Sequence, residues 1–517
     1  MVNVDALYEA IGLVFTFKTL IWVAVGMCIG VGVGAIPGLT ATTGVALMLP
    51  LTFTLSHAAA LGLLIGLYKG AVYGGSISAI SFATPGTPEA AATVFDGHKL
   101  MQRGQGRKAL LMALYASVTG DLLSSIITIL VAPLLALVAL KFGPSERFWL
   151  MALAICLLGA LSGAHLAKGM LAAAIGLFVG TIGADPISSV SRNTFGLWWL
   201  ADGVHLIPLV VGVFAMGAMI EKTVGVVKES RKAQELGKVV KGMLTVAGEG
   251  LNLKEYLRCW KQMAVGFGTG VFVGILPGLG STVGAFLSYG LAKQFFPDKK
   301  LGTGVLEGVA AAECGNNATV GPTLIPLLAF GIPGGSVAAL IGAALMLQGA
   351  TPGPRMFELF PTVVYSLFII LLVGNVLLFG IGRIFAFVYA KLGQLPTQLL
   401  VPIVMLMAVV GAYSYNNNAY DVMIMLFFGV LGYFMRLTKI PEAPLVITFL
   451  LGPQVEENLR RALLINEGHW APTLFGSWLA IGLAVAVVVF TYLSARVHIS
   501  ERMREISEGT GDEPAKQ

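Results

Sequence analysis

Residues 30–47 read GVGVGAIPGLTATTGVAL, and residues 270–287 read GVFVGILPGLGSTVGAFL. The two stretches align at an offset of 240, and over 29–47 against 269–287 ten of nineteen positions are identical. Gly30, Val31, Val33, Gly34, Pro37, Gly38, Leu39, Thr42, Gly44 and Leu47 each have an identical counterpart. Each phrase interrupts an apolar run that would otherwise read as an unbroken helix. Proline deletes a backbone donor and obstructs the preceding turn, and glycine frees the chain to change direction. In hydrocarbon, an unpaired backbone group costs several kcal/mol, so such a break persists only where protein or a wet cavity satisfies the freed groups.

The composition places these breaks in a bilayer. Of 517 residues, 56% are hydrophobic and 12% charged, with a mean hydropathy of +0.84. A soluble fold cannot bury that much apolar surface. Apolar runs recur from end to end without the alternation of a membrane β-barrel. The 65 glycines suit close helix packing in lipid. The expected fold is an all-α polytopic membrane protein with about 10–12 transmembrane helices, two re-entrant hairpins and two inverted-topology repeats. Asp5 and Glu9 precede the first basic residue, Lys18, unlike the basic start of a cleaved signal peptide. Cys28, Cys156, Cys259 and Cys314 are scattered and read as small buried hydrophobes. The net charge of +6 sits mostly in loops and reads as topology information, with no nucleic-acid partner implied.

The repeat divides the chain into an N-terminal membrane half, 1–221, with the first Pro-Gly hairpin, and a C-terminal half, 263–495, with the second. A polar cytoplasmic linker, 222–262, joins them, and 496–517 form a polar tail. A second echo supports the division: FATPG at 82–86 resembles FGIPG at 330–334. Residues 97–108 carry His98, Lys99, Arg103, Arg107 and Lys108, whereas the equivalent interval 350–358 carries only Arg355. Lys293, Lys299 and Lys300 follow the second phrase, and 52–57 after the first holds no Lys or Arg. Each basic interval in one half faces a nearly neutral one in the other, which is the signature of inverted topology. Each phrase then enters and leaves on one side, periplasmic for 20–55 and cytoplasmic for 263–296.

A helix that restarts after a Pro-Gly break aims bare N–H groups and a positive dipole end at the break, which makes an anion site without Lys or Arg. Pro37, Gly38, Thr40 and Thr42 in the first phrase, and Pro277, Gly278, Ser281 and Thr282 in the second, are the candidate substrate-binding residues. Pro85, Gly86, Asn316, Asn317, Pro333 and Gly334 complete the expected cavity. The half-helices that end at the breaks leave carbonyls near Gly34, Ala35, Gly274 and Ile275, which suit Na⁺. Glu313 reads equally as a structural hydrogen-bonding residue or an ion ligand. Lys69, inside an apolar run, reads as an internal pair or a carboxylate partner. Asp121 and Asp185 read as span-end residues.

The sequence lacks a phosphate-binding GxxxxGK[ST]: Gly237-Lys238 is followed by Val239. GVGVG at 30–34 lacks the dinucleotide spacing and follows no evident strand. No HExxH, GxSxG or Cys/His cluster is present, so the chain is read as a non-enzyme that uses no cofactor. Two alternatives stay open, an intramembrane enzyme on a lipid-linked substrate and a stand-alone secondary permease.

GAIPGLTATTG, GILPGLGSTVG, the YGGSISAI…TPGTPEAAATVFDGHKL block, and ECGNNATVGPTLIPLLAFGIPGG followed by LQGATPGP resemble the large membrane subunit of tripartite tricarboxylate transporters. The resemblance runs from about residue 10 to near 495, with Cys314 standing where a small residue such as Ala is expected. It implies a permease of the bacterial cell inner membrane that imports a carboxylate coupled to Na⁺ or H⁺. It also implies two partners, a small four-helix membrane subunit and a periplasmic solute-binding protein.

Overall fold

The computed structural model describes residues 3–161, 166–185, 187–188, 190–230, 249–392 and 397–509. Parts of the expected linker (231–248) and tail (510–517) lie outside the described residues. The described chain is helical nearly throughout, and its strands are a two-residue antiparallel pair, Gly183–Ala184 with Ser191–Arg192. Ten helices carry the argument: α1 (Phe17–Ala35), α2 (Ala41–Met48), α3 (His57–Phe82), α4 (Ala91–Gln102), α5 (Gly106–Ala139), α6 (Trp260–Ile275), α7 (Gly280–Phe295), α8 (Leu306–Asn317), α9 (Ser336–Leu347) and α10 (Pro361–Leu392). Among the described residues, six helices are long and apolar enough to cross a membrane: Phe17–Ala35, His57–Phe82, Gly106–Ala139, Leu206–Val224, Pro361–Ala386 and Ala419–Leu437. Shorter apolar helices, among them Ser336–Leu347, accompany them. The protein is an all-α polytopic membrane protein.

Two compact units divide the chain, one of residues 1–140 and 205–434, the other of 141–204 and 435–517. Both Pro-Gly phrases and both echoes fall in the first unit. Its centre is α3, buried from Ala58 to Ser81. Glycine makes that possible. Gly26, Gly30 and Gly34 of α1 lie against the carbonyls of Leu63, Leu67 and Ala71, and Gly66, Gly70 and Gly74 of α3 lie against those of Val23, Met27 and Val31. A methyl at any of these positions would collide with backbone. The small-residue stripes let the backbones approach where lipid supplies no water-driven force.

These pairings keep a constant offset, so α1 and α3 run parallel. Gly62, near the start of α3, lies beside the Thr19 carbonyl near the start of α1. The chain has therefore gone out along α1, turned at Pro37-Gly38 and come back to its starting level through α2. The first phrase is thus a helical hairpin turning at Pro37-Gly38. The second phrase builds the same arrangement. Gly266 and Gly270 of α6 meet the carbonyls of Ala311 and Gly315 in parallel register, and Gly284 of α7 meets Thr319 beyond the end of α8. The halves diverge afterwards, because α3 is continuous over 26 residues while its counterpart stops at Asn317 and resumes at Leu324.

The second unit packs Pro144–Leu161, Leu166–Val179, Glu442–Ile465 and Trp478–Gly509 together. Asp185, beside the strand pair, accepts from the backbone N–H of Ser188 at 2.8 Å and Ile187 at 3.0 Å. Arg192 and Arg460 each approach its carboxylate at 2.9 Å. Those backbone donors first, and Arg460 after them, hold the carboxyl far below the usual carboxylate range. Asp185 is thus a loop residue beyond the helix Leu166–Val179.

Candidate functional site

The four Pro-Gly breaks meet in the first unit. Within the first half, Gly86 lies against the Gly34 carbonyl, too close for any side chain, and its N–H donates to Gly75 O at 3.3 Å. Within the second half, Gly278 N–H donates to Gly334 O at 2.9 Å, and Gly334 N–H donates to Thr323 O at 3.2 Å. Each phrase therefore touches its own echo. The halves also cross: the hydroxyls of Thr42 and Ser336 are 2.7 Å apart, joining the restart of the first phrase to the echo of the second. Reciprocally, α7 packs against the single turn Pro88–Ala90 that follows Pro85-Gly86.

The two turns are left-handed at glycine, with φ of +81° at Gly38 and +90° at Gly278. Thr40 caps α2, its hydroxyl accepting from Thr43 N–H at 3.1 Å. Pro37 O accepts from Lys222 Nζ at 2.8 Å, which places an ammonium on the first turn. Helix α7 begins at Leu279 without a side-chain cap. Ser281, in its first turn, accepts from the Thr319 hydroxyl at 2.7 Å, and Thr282 is half-buried. Gly34, Ala35, Gly274 and Ile275 are the last residues of α1 and α6, at the mouths of the two turns.

The two asparagines part company. Asn317 turns away, donating to Ser117 Oγ at 2.8 Å and to Glu313 O at 3.0 Å. Asn316 is fully buried, and neither atom of its amide has a partner.

Several polar residues here escaped the sequence reading. Tyr68 of α3 reaches the Thr323 hydroxyl at 3.5 Å. The single Thr319 hydroxyl proton has two acceptors within 2.7 Å, Ser281 Oγ and Asn316 O. Their signal is a spacing of four, Thr319 to Thr323, just after the paired asparagines. Lys222 read as linker because it stands beside a charged run.

The intramembrane charges are paired. Lys69 Nζ lies 2.6 Å from Asp121 Oδ2, both side chains fully buried between α3 and α5. The expectation of a span-end Asp121 is therefore corrected. It sits mid-helix in a span of 34 residues, and Lys69 is what makes it tolerable there. Lys69 is an internal partner. Glu313 accepts from the hydroxyls of Thr93 and of Ser117, the latter at 3.0 Å, and so ties α8 to α4 and α5. Asp96 on α4 accepts from Tyr289 Oη at 2.8 Å and from the N–H of Gly304 at 2.7 Å and Val305 at 3.0 Å, fastening the loop between α7 and α8.

The chain is 34% identical over 474 residues to an uncharacterized 52.8 kDa protein in the TAR-I ttuC' 3' region of Agrobacterium vitis, covering 91% of this chain and 92% of that protein. It is 36% identical over 226 residues to an uncharacterized protein in the TAR-II ttuC' 3' region of the same organism, covering 42% of this chain and 93% of that protein. No solved structure matches it. The profile of one family matches residues 20–447, and with the paired breaks it assigns the chain: it belongs to the tripartite tricarboxylate transporter TctA family.

Proposed function

We propose that this chain is the permease subunit of a binding-protein-dependent secondary transporter that imports a tricarboxylate, dicarboxylate or related organic acid, coupled to a cation gradient. The observation that carries this reading is the meeting of the four Pro-Gly breaks: each phrase touches its own echo, as at Gly278–Gly334, and the halves cross at Thr42–Ser336 and where α7 packs on Pro88–Ala90. In the proposed mechanism, Pro37, Gly38, Thr40, Thr42, Pro85 and Gly86 from one half, with Pro277, Gly278, Ser281, Thr282, Asn316, Pro333 and Gly334 from the other, surround the anion. The N–H groups at the starts of α7 and α9 and the Lys222 ammonium supply positive potential. The coupling ion is Na⁺ or H⁺, and carbonyls near Gly34, Ala35, Gly274 and Ile275 offer oxygens where it is Na⁺. The halves face opposite sides of a bacterial inner membrane and expose this site alternately. A periplasmic solute-binding protein delivers the substrate, and a small four-helix membrane subunit completes the complex.

Energetics favours coupling. Moving charge into a negative-inside cell costs about 2.3 kcal/mol per charge per 100 mV, roughly 7 kcal/mol for a trianion before any concentration gradient. Co-entry of as many cations as carboxylate charges removes that cost. The direct test is uptake of radiolabelled carboxylate into proteoliposomes holding the full complex. Uptake is expected, and it should collapse when Na⁺ and proton gradients are both dissipated. Absence of uptake for every di- and tricarboxylate offered would overturn the reading.

A further inference from the structure

The first echo carries a carboxylate that the reading above does not use. Glu89 lies in the single turn Pro88–Ala90. It is half-buried, and its Oε2 is buried without a hydrogen-bond partner. Thr87, just before that turn, is 1% exposed and has an unpartnered hydroxyl. Thr87 stands two residues before Glu89, and its hydroxyl lies against Gly75 of α3. Asn316 is 0% exposed and has two unpartnered amide atoms.

Helix register brings these residues together. Helices α4 and α8 run antiparallel, with Asp96 against Gly308 and Thr93 bonded to Glu313. One turn beyond Thr93 towards the start of α4 is the turn Pro88–Ala90, and one turn beyond Glu313 along α8 is Asn316. The turn Pro88–Ala90 packs on both α7 and α8, in agreement with that register.

Native interiors leave few buried polar atoms unsatisfied, and each such cluster calls for an occupant. Three of the four atoms are oxygens, one on a carboxylate, which excludes an anion as the ligand of that face. The nearby charges are committed elsewhere. Glu313 is held by Thr93 and Ser117, Asp96 by the 302–305 backbone and Tyr289, and Lys69 by Asp121. A carboxylate oxygen, a hydroxyl and an amide carbonyl are hard ligands for a small hard cation.

We propose that Glu89, Thr87 and Asn316 form a Na⁺ site beside the substrate cavity, in which the ion neutralises Glu89 and orients the Asn316 amide. This rests on the transport reading above and is distinct from the helix-end carbonyls near Gly34 and Gly274. With Oδ1 turned to the ion, Asn316 Nδ2 faces the cavity as a donor for a substrate carboxylate. Ion and anion then strengthen each other's binding, and that mutual dependence is a coupling device.

The test is thermal unfolding of the purified full-length protein in nanodiscs, in NaCl against choline chloride at equal ionic strength and constant pH. At a tenfold excess of ion over its Kd, Na⁺ should raise the Tm of the wild type by about 2 °C. Thr87→Ser should keep the shift, whereas Thr87→Val should need at least about tenfold more Na⁺ for the same shift, the loss of one oxygen ligand. Glu89→Gln should abolish it. Equal Na⁺ shifts in wild type, Glu89→Gln and Thr87→Val would overturn the proposal. So would a wild type indifferent to Na⁺ but stabilised by acid in a Glu89-dependent way, which would assign a proton instead. Carboxylate uptake separates the two readings: a wild type that transports without a Na⁺ shift loses only this site, and one that shows the Na⁺ shift without uptake loses the transport reading.

Discussion

At the first Pro-Gly turn, Lys222 Nζ sits 2.8 Å from the Pro37 carbonyl, and Thr40 closes the start of the returning helix. At the second, Gly278 spends its N–H on Gly334, the returning helix α7 starts without a side-chain cap, and the turn bearing Glu89 packs against it. The repeated sequence thus reproduces a backbone path, while Lys222 and Glu89, which have no identical counterpart in the other half, give the two turns different polar neighbours. A lysine at one turn, and a glutamate in the turn packed on the other's returning helix, make the two surroundings chemically different. The difference also shows that the internal repeat sets the architecture and the unrepeated neighbours set the chemistry.

The largest effect is expected from removing the shared feature. Gly38 and Gly278 both hold positive φ, where a β-branched side chain is strained by more than about 1–2 kcal/mol. A Cβ at Gly38 would also lie 3.3 Å from Lys222 Cε. Gly38→Val and Gly278→Val should each lower carboxylate uptake on the order of 100-fold by misplacing the cavity wall. Membrane insertion, read by protease accessibility, should persist. Gly280→Ala is the control. Gly280 has φ +66° but open space around its Cα, so Ala should cost only about 1 kcal/mol and leave most uptake. Normal uptake in both Val variants would mean that the turns do not line the cavity.

The turns were legible in the sequence because Pro and Gly act locally: they break a helix whatever surrounds them. The hairpin was legible for the same reason, since both halves write the same interruption. Pairings between distant helix faces were not. Lys69 and Asp121 are 52 residues apart and Thr42 and Ser336 are 294 apart, and only helix register decides which faces meet. Glu89 was passed over because a carboxylate two residues past a Pro-Gly-Thr reads as a solvated loop. Nothing local reveals that Oε2 is buried or that Asn316 approaches from an antiparallel helix. The two compact units follow packing and not chain order, because the intervening segment 141–204 pairs with 435–517.

Lys222 sharpens the comparison at intermediate size. If its ammonium contributes positive potential at the first turn, Lys222→Met should raise KM for the carboxylate by about 10- to 100-fold, the range of one charge-assisted hydrogen bond. The turnover at saturation should change little, since charge and not the turn is lost. Lys222→Arg should restore most of the affinity. A variant that lowers turnover without moving KM would show that Lys222 merely braces the Pro37 carbonyl.

The smallest effect separates the two restarts. Thr40 alone supplies the side-chain cap of α2, so Thr40→Ala should lower stability by about 1 kcal/mol, read as a small drop in Tm of the full-length protein. Ser281 is not a cap. It lies 2.7 Å from the Thr319 hydroxyl, whose single proton still has Asn316 O, also at 2.7 Å, as acceptor when Ser281 is truncated. Ser281→Ala should therefore cost less than about 0.5 kcal/mol, at the low end for a neutral hydrogen bond. Under the proposed function, its consequence should appear in substrate affinity, because that reading assigns the uncapped start of α7 to the anion. Equal losses of stability from Thr40→Ala and Ser281→Ala would mean that both restarts are closed in the same way, and the division of labour between the two turns would fail with them.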